Sequence, residues 1–174
     1  TQTPIRIDWP SDGLTPQWQQ PIGGGYASFV VAEGRAVTIE QRRDQEVVTA
    51  YDVQTGRELW NHAWVAEFEE FQGGPGPRAT PTWHDRRIYA LGATGHLWSL
   101  DAETGNVIWS RNILKDSQAP NLQWAMASSP LVVDDMVIVQ PGGQRGWSVV
   151  AYDLTTSDVV WHTLDDLQSY TSPM

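Results

Sequence analysis

The chain has 174 residues, 40% apolar and 18% charged, enough to bury a core and too little charge for a disordered chain. With 21 acidic against 11 basic residues the net charge is -10, so nucleic acid is not an expected partner. Cysteine is absent, which excludes disulfides and thiolate chemistry; no apolar run approaches the roughly 18 to 20 residues that span a bilayer, and the opening TQTPIRIDWP does not read as a signal peptide.

Residues 1–25 carry Pro4, Pro10, Pro16 and Pro21 and then Gly23-Gly24-Gly25, a composition that breaks regular structure and reads as an N-terminal arm. Its one strand candidate is 17–22 (QWQQPI), an edge strand anchored by Trp18. From Tyr26 the chain becomes short β runs bounded by turn residues: 27–32, 35–40, 46–52 and 57–63. Residues 64–71 (WVAEFEEF) have near-helical apolar spacing and suggest a turn or two of helix. A second set of strands follows at 80–83, 87–91, 96–101 and 107–112, and a third at 129–133, 136–140, 148–153 and 159–163. Runs such as VVAE and LVVD predict burial on both faces of a sheet.

Each set closes on the same eleven-residue stretch: AYDVQTGRELW (50–60), SLDAETGNVIW (99–109) and AYDLTTSDVVW (151–161). Its aspartates, Asp52, Asp101 and Asp153, recur at a period of about fifty residues, in the range of repeat architectures built from one supersecondary unit. The Asp can accept hydrogen bonds from turn amides, Thr-Gly supplies the turn, and the indole fills the gap between twisted sheets. Ala50, Asp52, Thr55, Gly56 and Trp60 fill the pattern completely. Asp101, Thr104, Gly105 and Trp109 carry it with Ser99 in place of Ala. Ala151, Asp153, Thr156 and Trp161 carry it with Ser157 in place of Gly, which strains the turn if that position needs a positive φ.

This motif resembles the pyrroloquinoline-quinone-like (PQQ-like) β-propeller repeat of the quinoprotein alcohol dehydrogenase-like superfamily. The resemblance implies an all-β propeller of four-stranded antiparallel blades, with each motif Trp docked on the neighbouring blade. On that reading residues 26–174 hold blades at about 26–63, 79–112 and 128–163. Residues 170–174 (YTSPM) start a further one, because they repeat ATPT (79–82) and SSPL (128–131). Closed propellers of this kind have about six to eight blades. Three blades would expose two apolar faces, so the chain reads as a fragment whose partners are the remaining blades or another copy of itself.

The resemblance also implies a periplasmic or extracellular location. It raises two functions: a non-catalytic binding or scaffolding module with a protein or carbohydrate ligand, or part of a PQQ-dependent alcohol dehydrogenase using calcium, with its active-site residues outside this chain. The adjacent cysteine pair of those dehydrogenases is absent, and no segment matches a calcium or catalytic-base motif, so no cofactor, metal or catalytic residue is expected within the chain. A WD-type propeller is disfavoured because no Asp follows the closing Trp. Ser128 and Ser129 lack His and Asp partners for a hydrolase, the histidines falling in turns or fourth strands, and Glu67, Glu69 and Glu70 lack the spacing of a calcium loop.

Ligand-binding candidates therefore sit on the longer loops. Gln41 lies in 40–45, Arg78 ends the rigid GGPGPR arm, Trp124 lies in 119–126, and Arg145 lies in 140–147. An Arg on a Gly/Pro arm suits a carboxylate or phosphate. The competing structural reading pairs Arg78 with a neighbouring Glu and buries Trp124 over the core.

Overall fold

The computed structural model describes residues 7–174; the first six residues of the arm, with Pro4, lie outside the described part. The first antiparallel sheet has the order β1 (Val30–Ala32), β2 (Arg35–Arg42), β3 (Gln45–Asp52), β4 (Glu58–Val65). A two-stranded hairpin, β5 (Glu69–Glu70) and β6 (Gly74–Pro75), follows it. The second sheet joins β7 (Thr82–His84), β8 (Arg87–Leu91), β9 (His96–Asp101) and β10 (Val107–Asn112) in sequence. One helical turn, α1 (Ile113–Asp116), leads to the third sheet: β11 (Leu131–Val133), β12 (Met136–Val139), β13 (Val149–Asp153) and β14 (Val159–Thr163).

Each sheet is a propeller blade, and burial follows strand position. The middle strands β2 and β3 are buried along six consecutive residues, which takes contacts on both faces, while the outer β4 alternates between buried and exposed residues. The first strands of neighbouring blades approach each other, β1 to β7 and β7 to β11, so they form the inner edge.

Two expectations fail. Residues 17–22 form no strand; the arm's β pairing with the first blade is a single bridge between Gly24 and Gln41. Residues 64–71 are not helical. Trp64 and Val65 finish β4, and Phe68 stacks over the Arg78 guanidinium at 4.8 Å instead of joining a helical apolar face. The helix that does form, α1, is capped by Asn112, whose side chain accepts from the Lys115 N–H at 3.0 Å.

The repeated stretch builds the same corner three times. The Asp52 carboxylate accepts from the Thr55 N–H and Oγ1 and from the Gln54 N–H; Asp101 does the same with Thr104 and Glu103, and Asp153 accepts from the Thr155 and Thr156 N–H groups. These bonds, led by the Thr55 and Thr104 hydroxyls and the Thr156 amide, hold all three carboxyls below the usual range. The following position is left-handed in every copy: φ is 70° at Gly56, 74° at Gly105 and 63° at Ser157, so Ser157 bears the strain its position implied.

From the first two corners a bond crosses to the neighbouring blade. The Trp60 indole N–H donates to Ala102 O at 3.1 Å and the Trp109 indole N–H to Leu154 O at 2.8 Å. Trp18, on the arm, donates to Val53 O at 2.8 Å and covers Gly56 as Trp60 covers Gly105. The Trp161 indole makes no hydrogen bond among the described residues. Near the inner edge a second series runs from blade to blade: the Ser28 N–H donates to Thr80 Oγ1 at 3.0 Å, the Thr80 N–H to Ser129 Oγ at 3.1 Å, and the Ser129 N–H to Ser172 Oγ at 2.9 Å. Ser172 thus holds the register that Thr80 and Ser129 hold in their own blades.

Candidate functional site

The four candidate residues fall into three places. Gln41 and Arg78 meet at the loop cluster around the β5–β6 hairpin, Trp124 lies on the 119–126 loop against Tyr170, and Arg145 lines a separate cleft at the third blade.

In the loop cluster Gln41 is 6% exposed and donates through Nε2 to Arg43 O at 2.8 Å and Ala66 O at 3.0 Å. Gly76 packs so closely that a Cβ there would lie 2.9 Å from Gln41 Cβ, which ties the β5–β6 hairpin to β2. The Arg78 guanidinium donates to Gly76 O and Gly74 O, lies 3.5 Å from Glu70, and sits over the Tyr26 and Phe68 rings. Its bonding capacity is directed into its own hairpin. Trp124 is 41% exposed, and its ring leans on Tyr170 at 5.5 Å.

Sequence reasoning missed the residue at the centre of this cluster. Glu46 is fully buried on β3, and its Oε1 accepts from the Ala93 N–H of the second blade at 2.7 Å. Ala93 O in turn accepts from the Met126 N–H and from Asn121 Nδ2, which links the 119–126 loop to the same peptide. Burial pushes the Glu46 carboxyl up to about 7, against the Ala93 bond, the Trp64 indole and the Arg78 charge, which favour ionisation. Beside it Trp64 and Trp98 pack with His62 and His96, and burial holds both imidazoles below their usual range. The signal in the sequence was a carboxylate opening an otherwise apolar strand.

Glu40 is the other buried carboxylate. Its Oε1 accepts from Arg42, Thr49 and Tyr51, and the Gly23 N–H of the arm donates to Oε2, so it fastens the arm to β2. The remaining sequence candidates are likewise bonded within the fold: Ser129 Oγ accepts from Thr80 and Ser128 Oγ donates to Ser169 O. Glu67, Glu69 and Glu70 do not converge, and no three His, Asp or Glu side chains among the described residues gather as a metal set.

Arg145 lines a cleft of about 520 Å³ between the end of α1 and the β12–β13 loop, with Asp116, Gln118, Gln144, Trp147 and Leu167 around it. Here the polar side chains are not spent: those of Gln118, Gln144 and Arg145 make no hydrogen bond or ion pair among the described residues.

The fold and its repeat thus define a β-propeller chain of PQQ-like repeats. The family model described as outer membrane protein assembly factor BamB matches residues 43–173, and the chain belongs to that family. Among curated proteins it is 32% identical over 121 residues to quinohemoprotein alcohol dehydrogenase ADH IIB of Pseudomonas putida, covering 66% of this chain and 17% of that protein. It is 28% identical over 117 residues to 1-butanol dehydrogenase (cytochrome c) of Thauera butanivorans, covering 64% of this chain and 16% of that one. The chain therefore spans about a sixth of the length of either relative. Among solved structures BamB from Moraxella catarrhalis superposes with a TM-score of 0.62 at 19% identity, over 83% of this chain and 41% of that one. A europium-containing methanol dehydrogenase gives 0.59 at 20%, over 81% and 25%.

A quinone is implied by such relatives, and the described residues do not by themselves fit it. A planar tricycle needs parallel walls and free cations for its carboxylates. The Trp124 and Tyr170 rings are inclined at 41°, and the guanidinium of Arg78 is occupied by its own hairpin. No helix among the described residues is long and apolar enough to cross a membrane.

Proposed function

We propose that this chain contributes blades to a non-catalytic propeller, a binding or scaffolding module working in the periplasm or outside the cell. The observation that supports it is the division of polar groups. The repeat-corner carboxylates, the Arg78 guanidinium and Glu46 Oε1 hold blades and loops together, and the unpaired atoms beside them, Glu46 Oε2, Gln41 Oε1 and the Trp64 and Trp98 indole nitrogens, are buried away from any ligand. Gln118, Gln144 and Arg145, by contrast, present unpartnered polar side chains to an open cleft. The remaining blades, or another copy of this chain, would cover outer-blade apolar residues such as Val160, which is 51% exposed.

The test is made on the full-length protein carrying this chain, with added PQQ and calcium. The expected result is no quinone uptake by absorbance or calorimetry and no dye-linked oxidation of 1-butanol. Stoichiometric PQQ binding with alcohol turnover would overturn the proposal in favour of a second reading. In that reading the blades are part of a PQQ-dependent alcohol dehydrogenase whose active-site residues lie outside this chain, as the 32% identity to the quinohemoprotein dehydrogenase favours.

A further inference from the structure

We propose that the cleft between α1 and the β12–β13 loop binds a short neutral saccharide, an inference that rests on the binding-module reading and gives it a ligand class. Its volume of about 520 Å³ falls within the ~300–1,000 Å³ of small-molecule sites.

The walls are fixed before any ligand arrives. A Cβ at Gly143 would lie 2.5 Å from Ser117 O, so the loop is seated directly on the end of α1. Residues 164–168 cross from the third blade to the other wall. The Ser148 N–H donates to Leu164 O, the Gly146 N–H to Asp165 Oδ1 at 2.6 Å, and Gln168 Nε2 to Pro120 O at 2.5 Å. Trp147 stacks on His162 at 4.1 Å and 13°, and His162 Nδ1 donates to Gly146 O at 2.8 Å. A ligand would meet a set plane rather than a mobile ring, which lowers the entropic cost of binding.

The chemistry of the lining selects hydroxyl groups. Arg145 only donates, Asp116 only accepts, and the Gln118 and Gln144 amides do both. Tyr152 Oη occupies Asp116 Oδ2 at 3.0 Å and leaves the other oxygen without a protein partner among the described residues. A sugar hydroxyl donates and accepts at one atom, so such a mixed lining matches a polyol better than a ligand of one charge. Trp147 and Leu167 add apolar surface for the C–H face of a pyranose ring. An anion is opposed by Asp116, by Asp165 and Asp166 on the crossing segment, and by the net charge of -10.

Maltose, cellobiose and diacetylchitobiose, each at millimolar concentration, are the probes, read by saturation-transfer NMR and tryptophan fluorescence on the full-length protein. At least one is expected to bind. Joint Gln144→Ala and Arg145→Ala substitution, at exposed positions, should weaken it about tenfold without moving the unfolding midpoint. Trp147→Phe should retain binding that Trp147→Ala loses. The proposal is overturned if none of the three binds, if the double variant binds as well as the parent, or if galacturonate binds in their place. The quinone assay judges the binding-module reading separately. A protein that takes neither sugar nor quinone sinks only the saccharide site, and one that oxidises 1-butanol sinks the module reading whatever the sugars do.

Discussion

The joint between the first and second blades and the joint between the second and third are built on one plan and finished with different chemistry. Both use an indole N–H on a neighbouring carbonyl, Trp60 to Ala102 and Trp109 to Leu154. In the first, the ring lies over Gly105, and the interior holds Glu46 with His62, Trp64, His96 and Trp98. In the second, Ser157 replaces the glycine and arginines bind the corner: Arg111 Nε donates to Ser157 O at 2.9 Å and Arg87 Nη1 to Leu154 O at 2.7 Å. A blade interface therefore tolerates either a buried titratable carboxyl or a strained turn clamped by guanidinium groups, and the two should respond differently to pH.

The largest effect is expected from the feature they share. Trp60→Ala and Trp109→Ala remove nearly buried indoles and should each cost about 3–5 kcal/mol in urea unfolding. A loss below about 1 kcal/mol at either joint would break the comparison at its common term.

Next comes Glu46→Gln. The folded carboxyl titrates at about 7 against an ordinary 4.5, so the folded state holds the proton more tightly. Stability from this group is full below about pH 4.5 and is lost as pH rises through 7, by up to about 3 kcal/mol. His62 and His96 slope the other way, since neutral imidazoles buried in the fold lose stability as pH falls through the ordinary His range. The difference between parent and variant isolates the carboxylate: the variant should be more stable at pH 8 and equal near pH 4. Parallel stability curves would show that Glu46 is ionised without cost.

Gly105→Ala should cost about 2 kcal/mol, because a Cβ there combines a φ of 74° with a position 2.5 Å from the Trp60 ring. The smallest change is the converse. Ser157→Gly relieves a φ of 63° and keeps the Arg111 bond to the carbonyl while losing the one to Oγ, for a net gain of about 0.5 kcal/mol in thermal unfolding. A loss on Ser157→Gly would mean that the Arg111 bond to the hydroxyl outweighs the strain.

The architecture was readable because its signal is periodic: Asp, Thr and Trp return in register every fifty residues or so, and hairpin chemistry marks the turns between. What escaped was local and aperiodic. Four residues of α1 are too few for helical spacing to register, and the aromatic spacing of 64–71 mimics a helix because Phe68 covers Arg78 while Phe71 is fully exposed. For the candidate site, the sequence exposed which loops are long but not which side chains keep free bonding capacity. Arg78 and Arg145 look alike on Gly-rich loops, and only their surroundings separate them. Glu46 was hidden because its partner, the Ala93 amide, is 47 residues away and carries no side-chain signature.

The series of hydroxyls joining Ser28, Thr80, Ser129 and Ser172 bears on the shape of the ring. At the inner edge a two- or three-atom side chain spaces one blade from the next, and at the outer strand a whole indole does so. A short spacer inside and a long one outside make each blade a wedge. That wedge turns each sheet from its neighbour in one sense, which is the arrangement by which propeller blades stack radially and cover one another's edges.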